Sequence, residues 1–148
     1  MALTSDFLVI REASTLIGDG APANDREERE IPFRVTDIER GEAAILHFEI
    51  RNLTVATEDP AVEINNVRVG SIQRNALRSK GSDGEAGFWY HQSMVIPANR
   101  IRNGDNMLEI TAPGWADSHT GDRFDDFQIR NVVLHYKTRI DARTLSTA

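Results

Sequence analysis

Two clusters of aromatic and polar side chains mark where this chain could do chemistry. One runs through Phe88-Trp89-Tyr90-His91, with Asp83 and Glu85 just before it. The other holds Trp115, Asp117, His119, Asp122, Arg123, Asp125 and Asp126. An aromatic ring can stack on the apolar C–H face of a sugar, while Asp, His and Arg hydrogen-bond its hydroxyls. Trp89, His91, Trp115, Asp117, His119 and Arg123 are therefore the candidate ligand-binding residues. Trp115 follows the turn pair Pro113-Gly114. Its ring could stand in solvent as a platform or fold back over the domain as a lid. Loop carboxylates also suit calcium, which takes about six to eight oxygens. Asp19, within Gly18-Asp19-Gly20, and Asp122, Asp125 and Asp126 are the candidate metal ligands. The competing reading is that these acids only face solvent and keep the protein soluble. No cofactor is required, and a structural calcium is the one ion the sequence suggests.

Other chemistries find little support. The chain has no cysteine, so disulfides, thiolate metal sites and thiol nucleophiles are excluded. Zinc would need clustered nitrogen or sulfur ligands, and His47, His91, His119 and His135 show neither H-x-H nor i, i+4 spacing. There is no P-loop, no G-x-S-x-G and no G-x-G-x-x-G. Asp125 and Asp126 are adjacent, and neighbouring residues on a strand point to opposite faces. They cannot work as an acid and base pair without a bend, so no catalytic residues are assigned and no enzyme is expected. The net charge is −6, with 23 acids against 17 bases, which argues against a nucleic-acid partner. No apolar run is long enough for a membrane span, so no membrane partner is expected. The first residues show no basic n-region and no apolar h-region. A cytoplasmic protein is the default reading, and a secreted one if a leader was removed.

The elements that would hold these clusters are strands. At 148 residues one domain is expected, with a core of about 7–137 and a polar tail over 138–148. Ala43 to Arg51 alternates, with Ala44, Leu46, Phe48 and Ile50 on one face and Ile45, His47, Glu49 and Arg51 on the other. The second set could form part of a binding face, a solvated face or a subunit interface. Ile31 to Val35 alternates around Pro32, which fits an edge strand or a strand start. Val62 and Ile64 lead into Asn65-Asn66, and Val67 and Val69 lead out. Asparagine tolerates the positive φ that both central positions of a type I′ turn need, so a hairpin is expected there. Further strands run over Phe7–Ile10, Ser93–Pro97, Asn106–Thr111 and Phe127–Tyr136. Within the last, Phe127 and Ile129 share one phase while Val132, Leu134 and Tyr136 share the other. Either a β-bulge near Asn131 or burial of both faces would reconcile them. No helix of useful length is expected. About eight strands give an all-β, antiparallel β-sandwich or jelly-roll. Antiparallel alternation sends loops 37–42, 65–66 and 98–105 to one end. Loops 13–30, 53–60, 71–92 and 112–126, with the candidate ligands, go to the other.

Four pieces, taken in order, carry a resemblance. They are Ala44-Ile-Leu-His-Phe-Glu-Ile-Arg-Asn52, Val62-Glu-Ile-Asn-Asn-Val-Arg-Val-Gly70, the segment from Phe88 through Val95-Ile-Pro97 to Ile101-Arg-Asn-Gly-Asp-Asn-Met-Leu-Glu-Ile110, and Phe124 to Val132. Their order resembles the galactose-binding-domain-like jelly-roll, commonly attached to glycoside hydrolases and polysaccharide lyases. The resemblance covers residues 43–136. It departs from the family pattern at Asn66, where glycine is usual. It implies a non-catalytic, lectin-like module with a carbohydrate partner, and modules of this fold often carry a structural calcium. The motifs themselves are structural, with Gly70 and Gly104 permitting turns or close approaches and Asn106 tying the turn before it. The alternative is a structural or protein-interaction domain that forms a homo-oligomer or joins a larger complex.

Overall fold

Side-chain alternation every two residues is the signal that dominates this chain, and strands are what it forms. The computed structural model describes residues 2–18, 28–53, 59–73, 88–113 and 127–140. Within them lie β1 (Ala2–Arg11), β2 (Thr15–Ile17), β3 (Glu28–Val35), β4 (Ala44–Arg51), β5 (Ala61–Ile64), β6 (Val67–Ser71), β7 (Tyr90–Ile96), β8 (Gly104–Thr111) and β9 (Phe127–Ile140). There is no helix among the described residues. The strands build two antiparallel sheets. One runs β1-β9-β4-β7, with β2 also paired to β9, and the other runs β3-β8-β5-β6. Pro32 sits on β3, an edge strand, where its missing N–H costs no ladder bond.

The inward residues of both sheets form one core. Ala44, Leu46, Phe48 and Ile50 of β4 face Val62 and Ile64 of β5, Leu108 and Ile110 of β8, and Ile31 and Phe33 of β3 across the sandwich. Each large apolar side chain buried here contributes roughly 1.5–3 kcal/mol. β9 supplies Phe127, Ile129, Val132, Leu134 and Tyr136, and these change phase as the sequence does. The cause is a bulge. His47 pairs with Val133 and Glu49 with Arg130, so β9 spends one more residue than β4 between them. Asn131 takes φ 49° there, the left-handed backbone asparagine accepts most readily after glycine.

The hairpin at Asn65-Asn66 is present, with φ 52° and 66° and Ile64 paired to Val67. Asn65 does more than turn the chain. Its Oδ1 accepts from the Met107 N–H at 2.9 Å, and its Nδ2 donates to the Arg100 carbonyl at 3.1 Å and to Asn106 Oδ1 at 2.8 Å. Asn106, 4% exposed, accepts from the Arg102 N–H at 3.0 Å and donates to the carbonyls of Arg102 and Gly104. The buried Asn106 amide and the half-buried Asn65 amide thus satisfy the backbone of the 101–106 turn and bolt the hairpin to β8. Asn66 is exposed and no side-chain bond of its own enters this network. Asn66→Gly should therefore leave the melting temperature unchanged or raise it slightly, by under about 1 kcal/mol of stability. A clear loss on differential scanning calorimetry would mean that the Asn66 side chain has a role.

Three bonds confirm that loops 37–42, 65–66 and 98–105 share one end of the sandwich. Asn65 reaches Arg100, Asn99 N–H donates to the Arg40 carbonyl, and Ile38 N–H donates to Asn103 Oδ1. Elsewhere the strands run further than local pattern suggests. β2 occupies part of the expected 13–30 loop, because Thr15 and Ile17 bury against β9. β7 begins at Tyr90, so His91 lies on a strand and not in a loop. β9 continues past Lys137 to Ile140, where Thr138 is buried and pairs with Thr4 of β1. Lys137 and Arg139 suggest a solvated tail, but each is the outward member of a strand whose partner lies at the far end of the chain.

Candidate functional site

The outward face of the first sheet concentrates the functional groups. Ile45, His47, Glu49 and Arg51 of β4 alternate with its buried residues. Register then fixes their neighbours. His91 of β7 pairs with Glu49, His135 of β9 with Ile45, and Phe7 of β1 with His135. Four rings consequently cross four strands as a diagonal stripe. His91 stacks on His47 at 5.4 Å between centroids, His135 meets His47 edge-on at 4.7 Å, and Phe7 stacks on His135 at 6.0 Å. His47 Nδ1 lies 3.3 Å from His91 Nε2, one ring donating to the other. Phe7, Ile45 and Val95 are exposed along the stripe, Phe7 and Val95 by 60% and 62%.

The Asn131 bulge builds the second half of the face. By shifting register it lets Arg130 and Asn131 both reach Glu49 Oε2, Arg130 Nε at 2.7 Å and Asn131 Nδ2 at 2.8 Å. Trp89 sits one residue before β7, beside the Arg51 end of β4. The Arg130 guanidinium lies 4.0 Å from its ring centroid and that of Arg51 4.6 Å. Arg51 Nε also donates to Gln128 Oε1. Each cation–π contact is worth about 0.5–1 kcal/mol at an exposed site and more when desolvated. The pair fixes the indole at the edge of the sheet.

Two titrations mark the face. Desolvation, followed by the charges of His135 and His91, holds His47 below its ordinary value of 6.5. Hydrogen bonds from Arg130 and then Asn131 hold Glu49 below its ordinary value of 4.5. For His47 the unfolded chain takes up a proton that the fold resists. Stability should thus fall as pH drops from 6.5 toward the depressed value and be restored above 6.5. For Glu49 the contribution is present above 4.5 and is lost as pH falls through its depressed value. Melting temperatures measured from pH 8 to pH 3 should decline through both windows. His47→Gln should flatten the upper part of the profile and Glu49→Gln the lower. Profiles parallel to the parent's would show that neither group is coupled to folding.

Of the residues singled out from sequence, Trp89 and His91 lie on this face, joined through β7 and through Glu49 and Arg130. Trp115, Asp117, His119, Arg123, Asp19, Asp122, Asp125 and Asp126 lie outside the described residues. Among the described residues, no group of three or more His, Asp or Glu side chains is arranged to hold a metal ion. Sequence reasoning found the His47, Glu49 and Arg51 row but missed Arg130, Asn131, His135 and Phe7. The phase change within β9 was the available signal, since a bulge puts Arg130 and His135 on the same outward face.

Beside this face, at the open side between β6 and β7, lies a cleft of about 520 Å³ lined by Gly70, Ser71, Gln73, Tyr90, Gln92, Ser93 and Met94. Gln92 closes its rim by accepting from the Gln73 N–H at 3.0 Å and donating to the Gln73 carbonyl. Gly70 allows the close approach of Met94, since a Cβ there would meet Met94 Sδ at 3.3 Å.

Two antiparallel sheets, the Asn65-Asn66 hairpin and the Asn106-tied turn define an all-β, antiparallel β-sandwich. No family model matches the chain, and no curated protein matches it. Solved structures do. A β-porphyranase of glycoside hydrolase family 86 from the human gut bacterium Bacteroides plebeius superposes with a TM-score of 0.61 at 17% identity, over 94% of this chain and 21% of that one. Dimeric latent PorU from Porphyromonas gingivalis superposes with a TM-score of 0.52 at 14% identity, over 96% of this chain and 14% of that one. The chain therefore spans about a fifth or less of the length of these two proteins, and at such identities the likeness is one of fold.

Proposed function

We propose that this protein is a non-catalytic carbohydrate-binding module that docks a glycan on the outward face of the first sheet. The observation that carries this reading is the row of rings Phe7, His135, His47 and His91, running to Trp89 with its two guanidinium neighbours. Planar groups spaced 4.7–6.0 Å apart suit an extended chain of sugar rings. His47, His91, Asn131 and Arg51 offer hydrogen-bonding groups beside them. Trp115, Asp117, His119 and Arg123 are proposed to extend this surface from the 112–126 loop.

The test is calorimetric titration of the purified protein with a panel of oligosaccharides, each with calcium and with EDTA. Binding to one sugar class is expected, and it should weaken when Phe7→Ser removes the end of the ring stripe. Loss of binding in EDTA would bring calcium at Asp19, Asp122, Asp125 and Asp126 into the site. A panel with no binder sinks the reading. A second reading, a protein-interaction domain, draws on the exposed Phe7, Ile45 and Val95. It predicts a self-associated species by light scattering that Val95→Lys dissolves.

A further inference from the structure

Among the described residues, the charges around Trp89 do not balance. Arg130 has its counter-charge in Glu49 at 2.7 Å. Arg51 leans on the same ring, and the group its Nε bonds is the neutral amide of Gln128. Among the described residues no carboxylate pairs with Arg51. This is not part of a generally basic surface, because the chain carries a net charge of −6. A guanidinium laid against an indole is partly shielded from water, which strengthens its interaction with an incoming anion. Its planar fork matches the oxygens of a carboxylate or sulfate, and with Nε committed to Gln128 its terminal nitrogens have no hydrogen-bond partner among the described residues.

We infer that the glycan recognised here is anionic, with a carboxylate or sulfate ester engaging Arg51 beside the Trp89 ring. This rests on the carbohydrate-binding reading above. A neutral sugar covering Arg51 would bury a charge without compensation, and that cost sets the discrimination. An anionic group gives each guanidinium beside Trp89 its own counter-charge, Glu49 for Arg130 and the ligand for Arg51. Glu49 in turn keeps Arg130 from offering a second free cation, so one anionic group is expected to engage at this position.

The experiment compares chains that differ only in charge. De-esterified polygalacturonate oligosaccharides are titrated against their methyl-esterified forms, and a sulfated galactan oligosaccharide against its desulfated form. The parent should bind at least one charged form on the order of tenfold more tightly than its neutral counterpart. The pair that shows the preference tells carboxylate from sulfate. Arg51→Gln should erase the preference, and Arg51→Lys, which keeps the charge but not the fork, should recover part of it. Both variants are checked for parent-like melting before titration. Equal binding of charged and neutral forms, or a preference that survives Arg51→Gln, overturns the anionic assignment and leaves the carbohydrate reading standing. Binding to neither form of either pair, nor to any neutral sugar, overturns both.

Discussion

Replacing Asn106 with alanine should lower the melting temperature by roughly 5–15 °C, from a loss of about 2–4 kcal/mol. No other single polar side chain described here holds so much. Its amide accepts from the Arg102 N–H and from Asn65 Nδ2, and donates to the Arg102 and Gly104 carbonyls. Alanine leaves those backbone groups in a partly buried turn without partners, and an orphaned polar group costs more than a hydrogen bond gains. It also takes from Asn65 Nδ2 one of its two acceptors, leaving the Arg100 carbonyl, so the bolt between the β5–β6 hairpin and β8 weakens at both ends. Asn106→Asp separates the two halves of the role. The carboxylate still accepts from Arg102 N–H and Asn65, but it faces two carbonyls that now receive no donor. Protonation returns one O–H donor. The deficit of the aspartate variant should thus shrink as pH falls, while the parent's own stability declines. Calorimetry over pH reads this directly. An alanine variant melting within about 2 °C of the parent would show that water replaces the amide without loss.

Trp89→Ala should weaken glycan binding by at least about tenfold, the scale of a hot-spot aromatic. The ring is the point where β4, β7 and β9 meet at the candidate site, with Arg130 at 4.0 Å and Arg51 at 4.6 Å. Removing it takes away a stacking surface and frees both guanidinium groups to move, so geometry and preorganisation are lost together. Two lost cation–π contacts should also cost about 1–2 kcal/mol of stability, a shift of several degrees. Titration at a temperature where the variant is fully folded keeps the two effects apart. Trp89→Phe retains a ring and should lose less on both readouts. Phe7→Ser, at the opposite end of the stripe, should weaken binding more modestly, because its ring stacks on His135 alone at the far edge strand. Unchanged affinity for a folded Trp89→Ala would place binding away from this ring. Loss in Phe7→Ser exceeding that in Trp89→Ala would move the centre of the site to the β1 edge.

The same residues separate what a local pattern can encode from what it cannot. Which way a side chain points on a strand is a period-two property of its own segment. The sequence therefore set Ile45, His47, Glu49 and Arg51 on one side of β4 and the core residues on the other. The sign of φ at a turn is equally local, so the Asn65-Asn66 hairpin and the phase break at Asn131 were visible without any partner strand. Antiparallel alternation even placed the 37–42, 65–66 and 98–105 loops at one end. Which strands lie side by side is not local. His47 meets His91 across 44 residues and His135 across 88, and Phe7 meets His135 across 128. Those meetings depend on the sheet order β1-β9-β4-β7 and on the extra residue in β9. Nothing within β4 states that β9 will be its neighbour, and a register shift of one residue would have sent Arg130 away from Glu49. The amphipathic strands and their turns belong to the sequence alone. The ring stripe, the Glu49–Arg130–Trp89–Arg51 cluster and the pairing of the chain's two ends exist only because two sheets had to bury one core together.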